Sequence, residues 1–97
     1  ALYKMVRGAL DAGMEAADQA GVALQDGRLR DAAKHFHSLR GAVGILGAKR
    51  LIQATIAAED AIDDLREDEL AGRYQQVRDE LAQTLAQARA WLEREQS

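Results

Sequence analysis

Apolar and small residues recur along this chain at steps of three and four, the spacing that lines one face of an α-helix. Four stretches carry the pattern. The first runs from about Leu2 to Gln25, with Leu2, Met5, Ala9, Ala12, Ala16, Ala20 and Ala23 on its stripe. The second runs from about Leu29 to Gly44 or Leu46, with Leu29, Ala32, Phe36, Leu39, Val43 and Leu46. The third covers about Lys49 to Leu65, with Leu51, Thr55, Ala58, Ile62 and Leu65 inward. The fourth, about Glu69 to Glu95, is the most regular: Leu70, Tyr74, Val77, Leu81, Leu85, Ala88 and Leu92.

Short polar breaks separate the stretches. "QDGR" closes the first, and its Gly27 suits a left-handed backbone conformation. "LGAK" separates the second from the third, and "DDLRED" precedes the fourth, with Asp68 placed to cap it. Four one-sided helices with short connections bury their stripes best as an all-α, antiparallel up-down-up-down four-helix bundle. No linker, repeat or low-complexity segment interrupts residues 1–97, so a single domain is expected.

Composition strengthens this picture. The chain has no proline, and 47% of its residues are apolar and 30% charged, which favours a folded, helical and soluble domain over a disordered one. A net charge of −3, with basic and acidic residues interleaved, gives no basic face for nucleic acid. The absence of cysteine removes disulfides and thiolate metal sites and fits a cytoplasmic protein. No apolar run approaches the roughly 20 residues needed to span a bilayer, so no membrane contact is expected of this segment. The chain begins without Met and already in helical phase, which reads as a piece of a longer protein.

The stretch "HFHSLRGAVGILGA" sits on the second helix and breaks the helical economy. Glycine inside a helix costs about 1 kcal/mol relative to alanine, yet Gly41 and Gly44 follow His37 closely. Each residue advances about 100° around the axis. His37 therefore falls about 130° from the centre of the core stripe, out in solvent. Ala33 and Gly41 on its own face cannot crowd the ring. Lys34 and Arg40, three residues to either side, and Arg30, seven before, can offset the charge of a phosphoryl group on the imidazole. Neutral imidazole offers one unprotonated nitrogen as nucleophile. On geometry alone, a lone histidine on a helix surface is more often just a surface residue.

Other candidates have plainer readings. His35 and His37 point about 200° apart on a helix and cannot share a metal ion, so His35 reads as a boundary residue. Glu59 suits either a hydrogen bond near His37 or a solvated helix edge. Ile45 points away from the core if the second helix continues that far, and turns inward if it stops at Gly44. Trp91 reads as packing at the bundle end. The acidic run "EDAIDDLRED" lacks the spacing of a calcium loop and reads as a solvated turn.

The run "HSLRGAVGILGAKRL" closely resembles the histidine-containing phosphotransfer (HPt) domain family, whose motif joins a His to Leu, then Lys or Arg, then Gly, followed by small residues. Here these are His37, Leu39, Arg40 and Gly41, then Ala42, Gly44, Gly47, Ala48 and Leu51. "AAEDAI" places Glu59 where the family commonly has Glu or Gln, and Asp26-Gly27 fits the usual approach to the histidine helix. Arg40 stands in for the commoner Lys, which keeps the charge and changes its geometry.

The resemblance implies a phosphoryl carrier without its own ATP site, not an enzyme in its own right. His37 would be phosphorylated by the aspartate of a receiver domain and would pass the group to a response regulator receiver. Arg40 and Lys34 would assist electrostatically, Gly41 would admit the receiver, and Glu59 would lie beside the imidazole. No cofactor or metal would be bound here; Mg²⁺ would belong to the receiver. The parent would be a hybrid sensor histidine kinase, anchored in the inner membrane, with this module at its C-terminal end, cytoplasmic and monomeric. Two alternatives stand beside it: the phosphoacceptor domain of a chemotaxis-type histidine kinase, and a helical docking module without phosphochemistry. The dimerisation helices of an ordinary histidine kinase fit poorly, because those carry His-Glu-Leu-Arg with a nearby proline.

Overall fold

The computed structural model describes residues 2–96. Among them are four helices and no strand: α1 (Leu2–Gln25), α2 (Leu29–Val43), α3 (Lys49–Asp63) and α4 (Leu70–Gln96). They pack as the expected four-helix bundle, a rod of 47 × 18 × 17 Å.

Each connection has a local cause. Gly27 adopts φ 73° after α1. The Arg28 N–H then reaches back to the Ala23 carbonyl at 2.8 Å, and the Gly27 N–H to Leu24 at 3.1 Å. These bonds satisfy carbonyls that the last helical turn leaves free. After Val43 the chain tightens into a single 3₁₀ turn, Gly44–Leu46, closed by Gly47 at φ 64°. The α3–α4 connection departs from expectation. α3 ends at Asp63, and Leu65 takes φ 55° and is 75% exposed instead of facing the core. The Arg66 N–H bonds to the Ala61 carbonyl at 2.9 Å, so a leucine fills the left-handed closing position usually given to glycine. Asp68 does not cap α4. It lies within a second 3₁₀ turn, Glu67–Glu69, and makes no side-chain hydrogen bond among the described residues.

The core is built on α2 and closed from both sides. Phe36, Leu39 and Val43 are fully buried and pack in one cluster with Leu51 and Ile62 of α3, Val77 and Leu81 of α4, and the buried small residues Ala16, Ala17, Ala20 and Ala23 of α1. The alanines bring α1 close to α2. Burying each large aliphatic or aromatic side chain contributes about 1.5–3 kcal/mol. Thr55 is fully buried too, and its hydroxyl donates to the Ile52 carbonyl at 2.6 Å, so no polar group is stranded there. Phe36 meets Tyr74 in a tilted ring pair with centroids 6.3 Å apart. The Tyr74 hydroxyl donates across the bundle to the Ala17 carbonyl at 3.0 Å.

At about 1.5 Å per residue, α1 and α4 outrun the shorter α2 and α3. Their overhanging ends form a second, smaller cluster of Val6, Leu10 and Leu92, with Tyr3, Leu46, Leu85, Ala88 and Trp91 against it. Trp91 packs the bundle end, as its position beside Leu92 suggests. The predicted α1 stripe is displaced here: Leu2, Met5 and Ala12 are exposed, while Val6, Leu10, Gly13 and Ala17 are buried. α1 turns to α4 and the 3₁₀ turn a face that alanine periodicity alone could not separate from its neighbour.

Candidate functional site

Because α2 lies in the middle of the packing, its core stripe fixes where its other side points. Phe36 and Leu39 anchor the rotation, and His37, between them in sequence, stands outward with 73% of its side chain exposed. Gly41, one turn on, leaves open space: a Cβ built there would meet nothing within 4 Å, and the same holds at Gly44. Neither glycine is needed to admit another part of this domain. The clearance faces solvent.

α3 runs alongside and supplies the carboxylate. Arg40, one turn after His37, is 28% exposed and turns toward α3, where one guanidinium nitrogen donates to Glu59 Oε2 at 2.5 Å. Its other nitrogen meets His37 Nδ1 at 2.6 Å. Glu59 Oε1 lies 4.0 Å from the same Nδ1. The three side chains thus form one cluster, with Arg40 bridging the imidazole and the carboxylate through its planar fork. His37 Nε2 has no hydrogen-bond partner among the described residues. Arg30, Ala33, Lys34, His37, Glu59 and Asp63 line a shallow depression between α2 and α3.

All five residues singled out by the sequence lie on or beside this face: His37, Arg40, Lys34, Gly41 and Glu59. Lys34 is exposed on the rim of the depression and has no ion-pair partner among the described residues. Arg30 is different. It pairs with Asp63 of α3 at 2.8 Å, so its charge is already compensated at the edge of the site. His35 is half-buried on another face of α2 and takes no part. Ile45, in the 3₁₀ turn, is 60% exposed. The helical stripes do not single out Ile56, which lies a turn before Glu59 on α3 and is 41% exposed. Its signal was available, an isoleucine on the charged side of its helix. A larger open groove between α1 and α4, bounded by Asp18, Gly21, Tyr74 and Arg78, holds none of the five.

The geometry can be set beside known proteins. The family model described as the Hpt domain matches residues 4–91, nearly the whole chain and all four helices. The chain belongs to the Hpt domain family. No curated protein and no solved structure matches it. Membership assigns a histidine phosphotransfer role in phosphorelay, as a carrier rather than a catalytic domain, and implies interaction with receiver domains. Among the described residues no helix is long and apolar enough to cross a membrane.

Proposed function

We propose that His37 is the phosphoacceptor of this Hpt domain, taking a phosphoryl group from the aspartyl phosphate of a receiver and returning it to a second receiver. The observation that carries this reading is the asymmetry of the imidazole. Its Nδ1 edge faces Arg40 and Glu59, while the ring is 73% exposed with Nε2 unengaged. A nucleophile that must reach into another protein's site needs such an open nitrogen and a held ring.

The neighbours supply what phosphoryl transfer demands, which is positioning and charge neutralisation rather than covalent machinery. Arg40, against the ring, and Lys34, on the rim of the same depression, supply positive charge beside His37, and Gly41 leaves the approach clear. Glu59 holds Arg40 in place. Mg²⁺ and the remaining catalytic groups belong to the receiver. The parent is a hybrid sensor histidine kinase, and the domain works in the cytoplasm as a monomer.

The test is transfer from a phosphorylated receiver to wild type and His37→Gln in parallel. Acid-labile label on wild type alone is the expected result. Direct labelling by a kinase ATP-binding domain, with no transfer from any receiver, would replace this reading with the chemotaxis-type phosphoacceptor. No label from any donor would leave a helical docking module.

A further inference from the structure

Arginine has donors and no acceptor, and it keeps its proton in proteins. The 2.6 Å contact between Arg40 Nη2 and His37 Nδ1 therefore requires a lone pair on Nδ1. In neutral imidazole the proton then resides on Nε2. This is the wrong tautomer for the reaction proposed above: the exposed nitrogen carries the hydrogen, and the nucleophilic lone pair lies under a guanidinium. A nearby group can reverse the arrangement. Glu59 Oε1, 4.0 Å from Nδ1, is an acceptor one side-chain adjustment away, and its partner oxygen already holds Arg40.

We infer that Arg40 and Glu59 compete for His37 Nδ1, so that the free domain rests with Nε2 protonated and becomes nucleophilic only when Arg40 leaves the ring. The inference rests on His37 being the phosphoacceptor and adds how its reactivity is gated. An incoming phosphoryl group gives Arg40 a better partner than a neutral ring nitrogen, because charge-assisted hydrogen bonds to phosphate are stronger than those to a neutral acceptor. Once Arg40 turns to the phosphoryl oxygens, the ring proton moves by exchange with water to Nδ1, where it donates to Glu59.

The transfer then balances. The Nε2 lone pair forms the N–P bond while the P–O bond to the receiver's aspartate breaks, and that bonding pair leaves on the aspartate as carboxylate. The Nδ1 proton stays on the ring, and the positive charge developing there faces Glu59. Arg40 and Glu59 are positioning residues in this scheme: they set which nitrogen reacts. The device has a use. A histidine that is 73% exposed is held unreactive until a phosphorylated partner docks.

Nitrogen NMR of the imidazoles reads the tautomer directly, at a pH alkaline enough for free imidazole to be neutral. His35 has no hydrogen-bond partner among the described residues and serves as the reference ring in the same spectrum. Wild-type His37 is expected to be more completely Nε2-protonated than His35. In Arg40→Gln the two nitrogen signals of His37 should exchange character, Nδ1–H becoming the major form, because Glu59 is freed to accept it. In Arg40→Gln/Glu59→Ala the ring should return to the tautomer ratio of His35. A wild-type His37 that is mainly Nδ1-protonated, or one whose tautomer is the same in Arg40→Gln, would overturn the inference. A double variant still mainly Nδ1-protonated would remove Glu59 from it. Unchanged backbone amide spectra establish that the variants are folded. Receiver labelling of wild type is scored separately: label on His37 without the tautomer change keeps the relay and rejects the gate.

Discussion

In the middle of α1, Gly13 and Gly21 lie where neighbouring side chains press onto the backbone. A Cβ at Gly21 would sit within 2.8 Å of the Tyr74 ring and closer still to its hydroxyl, and one at Gly13 would be 3.0 Å from Val43 Cγ1. At Gly41 and Gly44, around the end of α2, the same built atom meets nothing. Both sets weaken the helix by the same mechanism, loss of backbone restriction, but only the first set is repaid within the domain. Gly21 lets Tyr74 cross to the Ala17 carbonyl and complete the core. Gly41 and Gly44 contribute nothing to packing, and their clearance lies on the side of the molecule that carries His37. Gly8 of α1 and Gly72 of α4 are equally open, so open space marks an approach path only where, as at Gly41, it lies one turn from His37.

The hardest way to break this contrast is Gly21→Val. The branched side chain must displace Tyr74, forfeiting its hydrogen bond and disturbing the Phe36 ring pair, at a cost of about 3 kcal/mol. Thermal unfolding followed by circular dichroism should show a midpoint about 15 °C lower. Below that midpoint, His37 should still be labelled by a phosphorylated receiver.

Gly41→Ala should do the reverse. Stability should rise by about 0.5–1 kcal/mol, visible as a higher denaturant midpoint at constant slope, while labelling from a receiver slows. Gly41→Leu should slow it by about 10-fold or more, since a small displacement of the reacting groups is costly. If Gly41→Leu is labelled at the wild-type rate, the clearance is not the partner's path.

Leu65 extends the comparison to a place where glycine is missing although the backbone favours it. At φ 55° and largely exposed, it carries left-handed strain with little burial in return. Leu65→Gly should gain about 0.5–1 kcal/mol on chemical denaturation, with no effect on labelling. The smallest change is expected for Gly13→Ala. Better helix propensity of about 1 kcal/mol is offset by the squeeze on Val43 and Leu39, leaving the unfolding midpoint within about 0.5 kcal/mol of wild type.

Legibility followed chemical contrast. α2, α3 and α4 could be read with their inward faces because Phe36, Leu39, Leu51, Ile62, Val77 and Leu81 stand against charged neighbours, and a periodic difference that large is a strong signal. α1 was readable as a helix with Ala9, Ala16, Ala20 and Ala23 inward, but the rest of its inward face was not. Alanine occupies positions on several of its faces, so the stripe through Leu2, Met5 and Ala12 looked as good as the buried one through Val6, Leu10 and Gly13. The end of α3 is hidden for a related reason: Leu65 continues the apolar period, and nothing local announces that a leucine takes a left-handed turn.

The candidate site divides the same way. Periodicity placed His37 outward and left space at Gly41, because both follow from angles on one helix. Local sequence could not say that Arg30 is engaged by Asp63, that Ile56 is exposed on the same face of α3 as Glu59, or that Arg40 spans His37 and Glu59. His37 and Glu59 lie on different helices, and their meeting depends on how far α3 slides along α2 after the turn at Gly47. That register is a property of the packed core. The side chains of Phe36, Leu39, Leu51, Ala58 and Ile62 interlock in one buried cluster at interior density, and that fit sets the sliding position of the two helices. The chain by itself determined which residues face outward; tertiary packing decided which of them touch.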